Sequence, residues 1–76
     1  MEKVYILLSC DIGKEHELAS KLRLFDEIKS VMITYGDYDI VIEAQTKDSD
    51  HMYELITSKI RKLKKIRSTI TLRVTV

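Results

Sequence analysis

Apolar and polar positions alternate along four stretches of the chain, and the two-residue period is that of β-strands. The predicted strands cover residues 4–10, 28–35, 38–44 and 68–76. Two further stretches, residues 14–25 and 50–63, carry apolar side chains three or four positions apart, which predicts amphipathic helices. Asp48 or Ser49 is the expected cap of the second helix. The predicted element order is therefore β-α-β-β-α-β.

This order is that of the ferredoxin-like α+β fold, a four-stranded antiparallel sheet with both helices on one face. The 76 residues are enough for one domain, residues 1–76. The face of the sheet without helices is expected to carry Tyr5, Leu7, Thr71 and Arg73. Because such a face is too apolar to stay in water, we predict that it packs against a second copy as a dimeric α/β barrel.

Between the second and third strands, Gly36-Asp37 predicts a two-residue hairpin tip with a type II′ turn. Tyr35, Tyr38 and Asp39 flank this tip. Unpaired backbone amides hold anions and carboxylates hold ammonium groups, so the tip offers partners for both ends of a free amino acid. Ordinary turn chemistry explains the same five residues without any ligand.

Composition narrows the classes of function. The net charge of +1 gives no strong bulk attraction to nucleic acid or to an acidic membrane. Cys10 is the single cysteine, which excludes an internal disulfide, and no apolar run is long enough for a membrane helix. Without a secretory signal at the start of the sequence, we expect a cytoplasmic protein. A domain of this size is marginally stable alone, which favours oligomerisation.

The sequence contains no pattern that indicates catalysis, a metal or a cofactor. Neither His16 nor His51 has a second ligand at metal-binding spacing, so both are expected at the surface. No nucleophile and base stand in a recognisable arrangement, and we predict that the protein is not an enzyme. The basic run of residues 59–67 suggests nucleic-acid binding, but the favoured cations of a helix C-terminus explain it equally.

The whole chain resembles the effector-binding (RAM) domain of the Lrp/AsnC family of transcription regulators. The family pattern is a glycine, an acidic residue, any residue and an aspartate between the middle strands. Here it is Gly36-Asp37-Tyr38-Asp39. Supporting features are residues 4–9 of the opening strand, Gly13-Lys14-Glu15, Lys47-Asp48 and Ser68-Thr69-Ile70-Thr71.

The resemblance implies a homodimer whose sheets face each other, and assembly of dimers into rings such as octamers or decamers. It also implies a small effector, usually an amino acid, bound between dimers near the hairpin tip. The residues that would contribute to this site are Tyr35, Gly36, Asp37, Tyr38 and Asp39, with hydroxyls from Ser68, Thr69 and Thr71. Regulators of this family carry a DNA-binding helix-turn-helix, for which this sequence has no room, so direct DNA binding is not expected.

The preferred hypothesis is an amino-acid-binding oligomeric module linked to the regulation of amino-acid metabolism. Full-length Lrp/AsnC regulators are a further expected partner. Two alternatives stay open, an enzyme on a dimeric ferredoxin-like scaffold and a nucleic-acid binder that uses the basic run. The first needs a deep pocket lined by Tyr5, Tyr35 or histidine, and the second needs stacking aromatics on the open sheet face.

Overall fold

The computed structural model describes residues 1–75, and Val76, the end of the predicted last strand, lies outside the described residues. The strands are β1 (Glu2–Cys10), β2 (Ile28–Ile33), β3 (Ile40–Thr46) and β4 (Ile66–Arg73). The helices are α1 (Glu15–Leu22) and α2 (Ser49–Glu54), and a π-helical segment (Leu55–Ile60) continues α2. Within residues 1–75, no helix is long and apolar enough to cross a membrane.

The four strands form one antiparallel sheet in the order β2-β3-β1-β4, which confirms the predicted ferredoxin-like fold. Alternate side chains of β1 and β3 point to the helices and are almost fully buried. Together with the apolar stripes of the helices they form one core. Its largest fully buried members are Ile6, Leu8, Leu18, Leu22, Ile40, Ile42, Met52, Leu55 and Ile60.

The second helix differs from the regular α-helix predicted over residues 50–63. Asp48 caps its start, because its carboxylate accepts a hydrogen bond from the backbone N–H of His51 at 2.9 Å. From Leu55 onward the turns widen, and the N–H of Arg61 donates to the C=O of Ile56, five residues earlier, at 2.9 Å. The wider turn lets Leu55 and Ile60, five positions apart, both face the core.

The register of β4 corrects the predicted composition of the open face. Tyr5 pairs with Leu72 and Leu7 pairs with Ile70 across the β1–β4 ladder. Directly opposed residues of an antiparallel pair project to the same face. The helix-free side, called the open face below, therefore carries Tyr5, Leu7, Met32, Val41, Ile70 and Leu72, with the Lys3–Glu43 ion pair beside Tyr5.

Thr71 and Arg73 were expected on this open face, and that expectation is wrong. Thr71 pairs with Ile6 and Arg73 pairs with Val4, both of which point to the helices. Apolar and polar residues alternate regularly along β4, and the sequence alone does not decide which of the two sets faces the helices. As a result the open face is more apolar than predicted, with Leu72 and Met32 each about half exposed.

The structure also weakens the interpretation of the basic run as a nucleic-acid site. Two of its six cations are already paired with carboxylates of distant segments. Lys59 lies 3.0 Å from Glu27, and Lys65 lies 2.8 Å from Glu17. Of the open-face residues only Tyr5 is aromatic, so the sheet lacks the stacking platform that RNA-reading sheets use.

Candidate functional site

The connection between β2 and β3 is a six-residue loop, residues 34–39, called the tip loop. The predicted two-residue turn at Gly36-Asp37 is therefore wrong in length. The backbone N–H of Thr34 donates to the C=O of Asp39 at 2.9 Å. The hydroxyl of Thr34 donates to the C=O of Tyr38 at 2.8 Å. These two bonds close the base of the loop and leave residues 35–37 projecting from it.

Asp39 explains why the loop is wider than a tight turn. Its backbone N–H donates to the C=O of Leu8 at 2.8 Å. One oxygen of its carboxylate, Oδ2, accepts a hydrogen bond from the backbone N–H of Cys10 at 2.9 Å. Asp39 is thereby held on the end of β1, and the strand pairing that would bring Tyr35 and Tyr38 into a tight hairpin cannot form.

Gly36 occupies the tip with a φ of +122°, a backbone conformation that L side chains rarely adopt. The prediction that this glycine needs a positive φ is confirmed. A Cβ added here would have nothing within 4 Å, so the requirement for glycine comes from the backbone conformation and not from crowding.

Gly36→Ala is accordingly expected to lower the free energy of unfolding by about 1–3 kcal/mol, because a side chain strains the backbone at this φ. Urea unfolding measures the change. Gly13→Ala is the matched control, since Gly13 has a φ of +81°, near the ordinary left-handed region, and also has free space around it. A smaller loss is expected there, and equal losses would contradict a special strain at Gly36.

A groove of about 280 Å³ lies between the tip loop and the first turn of α1. We call it the tip groove. It is lined by Glu15, His16, Ile33, Thr34, Tyr35, Gly36 and Asp39. Its volume falls just below the range of about 300–1,000 Å³ for pockets that hold drug-sized ligands, so it suits a smaller metabolite. The side chain of Tyr35 is fully exposed at its rim.

The structure brings only part of the predicted site together. Tyr35, Gly36 and Asp39 line the tip groove, whereas Asp37 and Tyr38 belong to the loop without lining it. The three hydroxyl residues of β4 do not line it either. Ser68 and Thr69 pair with Ser9 and Leu8 on the far side of β1 from β3, and Thr71 lies further along the strand.

Sequence reasoning missed the helical wall of the groove, formed by Glu15 and His16. The sequence predicts only that His16 lies at the surface, and His16 is exposed. The residues from Asp11 to Lys14 turn the chain back from β1 so that α1 begins beside the tip loop. The Lys14 N–H donates to the C=O of Asp11 at 3.1 Å in this turn. The Gly13-Lys14-Glu15 segment predicts where α1 begins, but it does not indicate that the tip loop lies beside that helix.

Beneath the tip groove, Cys10 is buried at the end of β1. Burial, and to a lesser extent the nearby negative charges of Asp39, Glu15 and Asp11, together raise the pKa of its thiol from 9.0 to about 11. This thiol is therefore protonated at neutral pH and is a poor nucleophile. Within residues 1–75, no group of three or more His, Cys, Asp or Glu side chains could hold a metal ion.

The raised pKa of Cys10 predicts a loss of stability between about pH 9 and pH 11. In that range the unfolded thiol ionises while the folded thiol stays protonated, so the unfolded state is favoured as the pH rises. Cys10→Ala removes this contribution. Urea unfolding at pH 8 and at pH 10.5 should show a fall in stability that is smaller in the variant by about 1–3 kcal/mol. Equal falls would argue against a raised pKa.

The fold and this loop can now be compared with known proteins. A family model, described as the Lrp/AsnC ligand binding domain, matches residues 3–75. The chain belongs to this family. Over 99% of its length it superposes on the whole of the FFRP-DM1 crystal structure, with a TM-score of 0.96 and 33% identity. A Neisseria meningitidis regulator, crystallised as an L-Met complex, shares the fold with a TM-score of 0.89 and 16% identity. The superposition covers 99% of this Lrp/AsnC chain and 50% of the regulator's chain.

Two curated relatives carry similar segments. The HTH-type transcriptional regulator FL11 of Pyrococcus furiosus is 44% identical over 48 residues, which are 63% of this chain and 32% of FL11. A homocitrate synthase of Saccharolobus islandicus is 43% identical over 51 residues, 67% of this chain and 11% of the synthase. The matched segments cover about a third of the regulator and about a tenth of the enzyme. The likeness of this Lrp/AsnC domain to the enzyme is confined to that small part.

Proposed function

We propose that this Lrp/AsnC domain binds a free amino acid in the tip groove and that the bound amino acid controls its assembly with identical chains. The groove itself is the observation that carries the proposal. It has the volume of a small-metabolite site and contains the glycine and the aspartate of the family pattern. A crystallised L-Met complex of a regulator with this fold supports an amino acid as the class of effector.

The geometry suggests how the two charged ends of an amino acid are bound. Among residues 1–75, the backbone N–H groups of residues 35–38 have no acceptor, so they are free to bind a carboxylate. Asp39 lines the groove and uses one carboxylate oxygen for the Cys10 N–H, which leaves the other for an ammonium group. Asp37 is a second acceptor at the edge of the loop. Tyr38, Ser68, Thr69 and Thr71 remain candidates only if a neighbouring chain brings them to the groove.

The open face supports a homodimer as the unit of assembly. Met32, Ile70 and Leu72 are about half exposed in a single chain, and a face-to-face dimer covers them. Around the groove, Tyr35 and Ile12 are also almost fully exposed. We propose that dimers meet through this end of the sheet as rings, octamers or decamers, so that each effector lies between dimers.

A domain with similar segments in a regulator and in an enzyme is expected to contribute what the two have in common. Effector binding fits both, whereas catalysis or DNA recognition fits only one. We therefore propose a cytoplasmic regulatory module that is not itself an enzyme and does not contact DNA directly. Full-length Lrp/AsnC regulators are proposed as partners, because the ligand-binding part of such regulators has the same fold as this chain.

Native mass spectrometry, with and without each standard amino acid, tests the proposal. We expect one group of amino acids to bind, one molecule per chain, and to shift the protein toward the larger ring. At a concentration of 100 times Kd, binding stabilises the folded protein by about 2.7 kcal/mol, so the same amino acids should raise Tm by several degrees. If none binds and none changes the assembly, the proposed function is wrong.

A further inference from the structure

The tip groove has two walls of different chemistry. The tip-loop wall is lined by Thr34, Tyr35, Gly36 and Asp39, and Asp39 is its only ionised side chain at neutral pH. The opposite wall is the first turn of α1, where Glu15 and His16 offer side chains. With the charged ends of an amino acid on the tip-loop amides and on Asp39, as proposed above, the α1 wall lies opposite and is open to the effector's own side chain. Glu15 and His16 are then the groups that can respond to the charge of that side chain.

The charges of this groove are all of one sign. Glu15 and Asp39 line it, and no lysine or arginine does. In the part of the chain from residue 1 to 75, neither carboxylate forms a salt bridge. Both also act on the Cys10 thiol, which is consistent with their lying together at this end of the sheet.

We propose that Glu15, with His16 beside it, selects effectors by side-chain charge, favouring a basic amino acid and rejecting an acidic one. This inference rests on the proposed function. An effector with an ammonium side chain pairs with the Glu15 carboxylate. An effector with a carboxylate side chain meets Glu15 and Asp39 with no cation to offset the repulsion, and like charges at a half-buried site are unfavourable.

Three amino acids of similar size separate the effect of charge from that of shape: lysine, glutamine and glutamate. Isothermal titration calorimetry on the wild-type oligomer should give the affinity order lysine, glutamine, glutamate, with about tenfold between successive members. Glu15→Gln should reduce the preference for lysine over glutamate by at least about tenfold, because the carboxylate that pairs with the ammonium is gone.

Glu17→Gln is the matched control on the same helix. Glu17 is paired with Lys65 at 2.8 Å and does not line the groove, so the preference should be unchanged. For the histidine, His16→Ala should change the affinity for lysine several-fold. His51→Ala, a change at the other histidine, which is exposed at the start of α2, should leave it unchanged.

The outcomes separate this inference from the proposed function. If an amino acid binds but glutamate binds as tightly as lysine, the charge selection is wrong and effector binding stands. If Glu15→Gln and Glu17→Gln alter the preference equally, Glu15 has no special part in it and the inference is likewise overturned. If lysine, glutamine, glutamate and every other standard amino acid fail to bind, both proposals fall together.

Discussion

Asp39→Ala is expected to lower the free energy of unfolding by about 2–3 kcal/mol and to weaken effector binding more than tenfold. The carboxylate accepts the backbone N–H of Cys10 at 2.9 Å, and its removal leaves that N–H without a partner at the end of a buried strand. Removing the charged partner of a part-buried hydrogen bond, so that the donor is left unsatisfied, costs about this much. The tip loop also loses the side-chain contact that holds it on β1. Urea unfolding and calorimetry measure the two effects.

Asp37 provides the control for this change. It lies two residues away in the same loop, is exposed, and makes no side-chain hydrogen bond within residues 1–75. Asp37→Ala should therefore change stability by no more than about 0.5 kcal/mol. Similar losses of stability in the two variants would show that the negative charge of the loop, and not the bond from Asp39 to β1, accounts for the loss.

Leu72→Lys is expected to separate the proposed homodimer, raising its dissociation constant at least a hundredfold. Leu72 is 51% exposed on the open face of a single chain, so the monomer accommodates a lysine there. In a two-fold dimer the ammonium is buried twice in an apolar contact, and the carboxylate of Glu43 on the same face is already paired with Lys3 at 3.4 Å. A hundredfold corresponds to about 2.7 kcal/mol, which is less than the cost of burying an unpaired charge.

Sedimentation velocity across a range of protein concentrations measures this change. Leu24→Lys is the matched control, because Leu24 is 79% exposed just after α1 and lies away from the open face. It should leave the dissociation constant unchanged. A Leu72→Lys protein that keeps the wild-type assembly would show that the open face is not the dimer interface.

The sequence predicted the fold correctly because its periods are regular. Alternation identified β1 and β3 as strands, and the helical stripes predicted Leu18, Leu22 and Met52 on the apolar faces of the helices, where they join the core. The element order β-α-β-β-α-β then predicted the ferredoxin-like arrangement of the sheet. Each of these inferences uses residues close together in the chain.

The errors arose where distant residues decide the local structure. Gly36-Asp37 has the composition of a tight turn, but the bonds from Asp39 to Leu8 and Cys10 on β1 widen the loop to six residues. The face of Thr71 depends on its pairing with Ile6, which composition does not reveal. The neighbourhood of Glu15 follows from the folding of α1 against the tip loop.

The candidate site was therefore predicted only in part. Its glycine and Asp39 were identified from the family pattern, and they do line the groove. Glu15 and His16 were missed because a polar residue on the solvent side of a helix has the same sequence signature whether or not it borders a groove. The role of the β4 hydroxyls stays a prediction that depends on a neighbouring chain.

A crystal structure of the protein with the amino acid that most raises its Tm tests the central claim most directly. The account predicts density for that amino acid in the tip groove, its carboxylate on the backbone amides beside Gly36, its ammonium on Asp39, and a second dimer closing the groove. Density elsewhere, or an empty groove at a ligand concentration well above Kd, would contradict it.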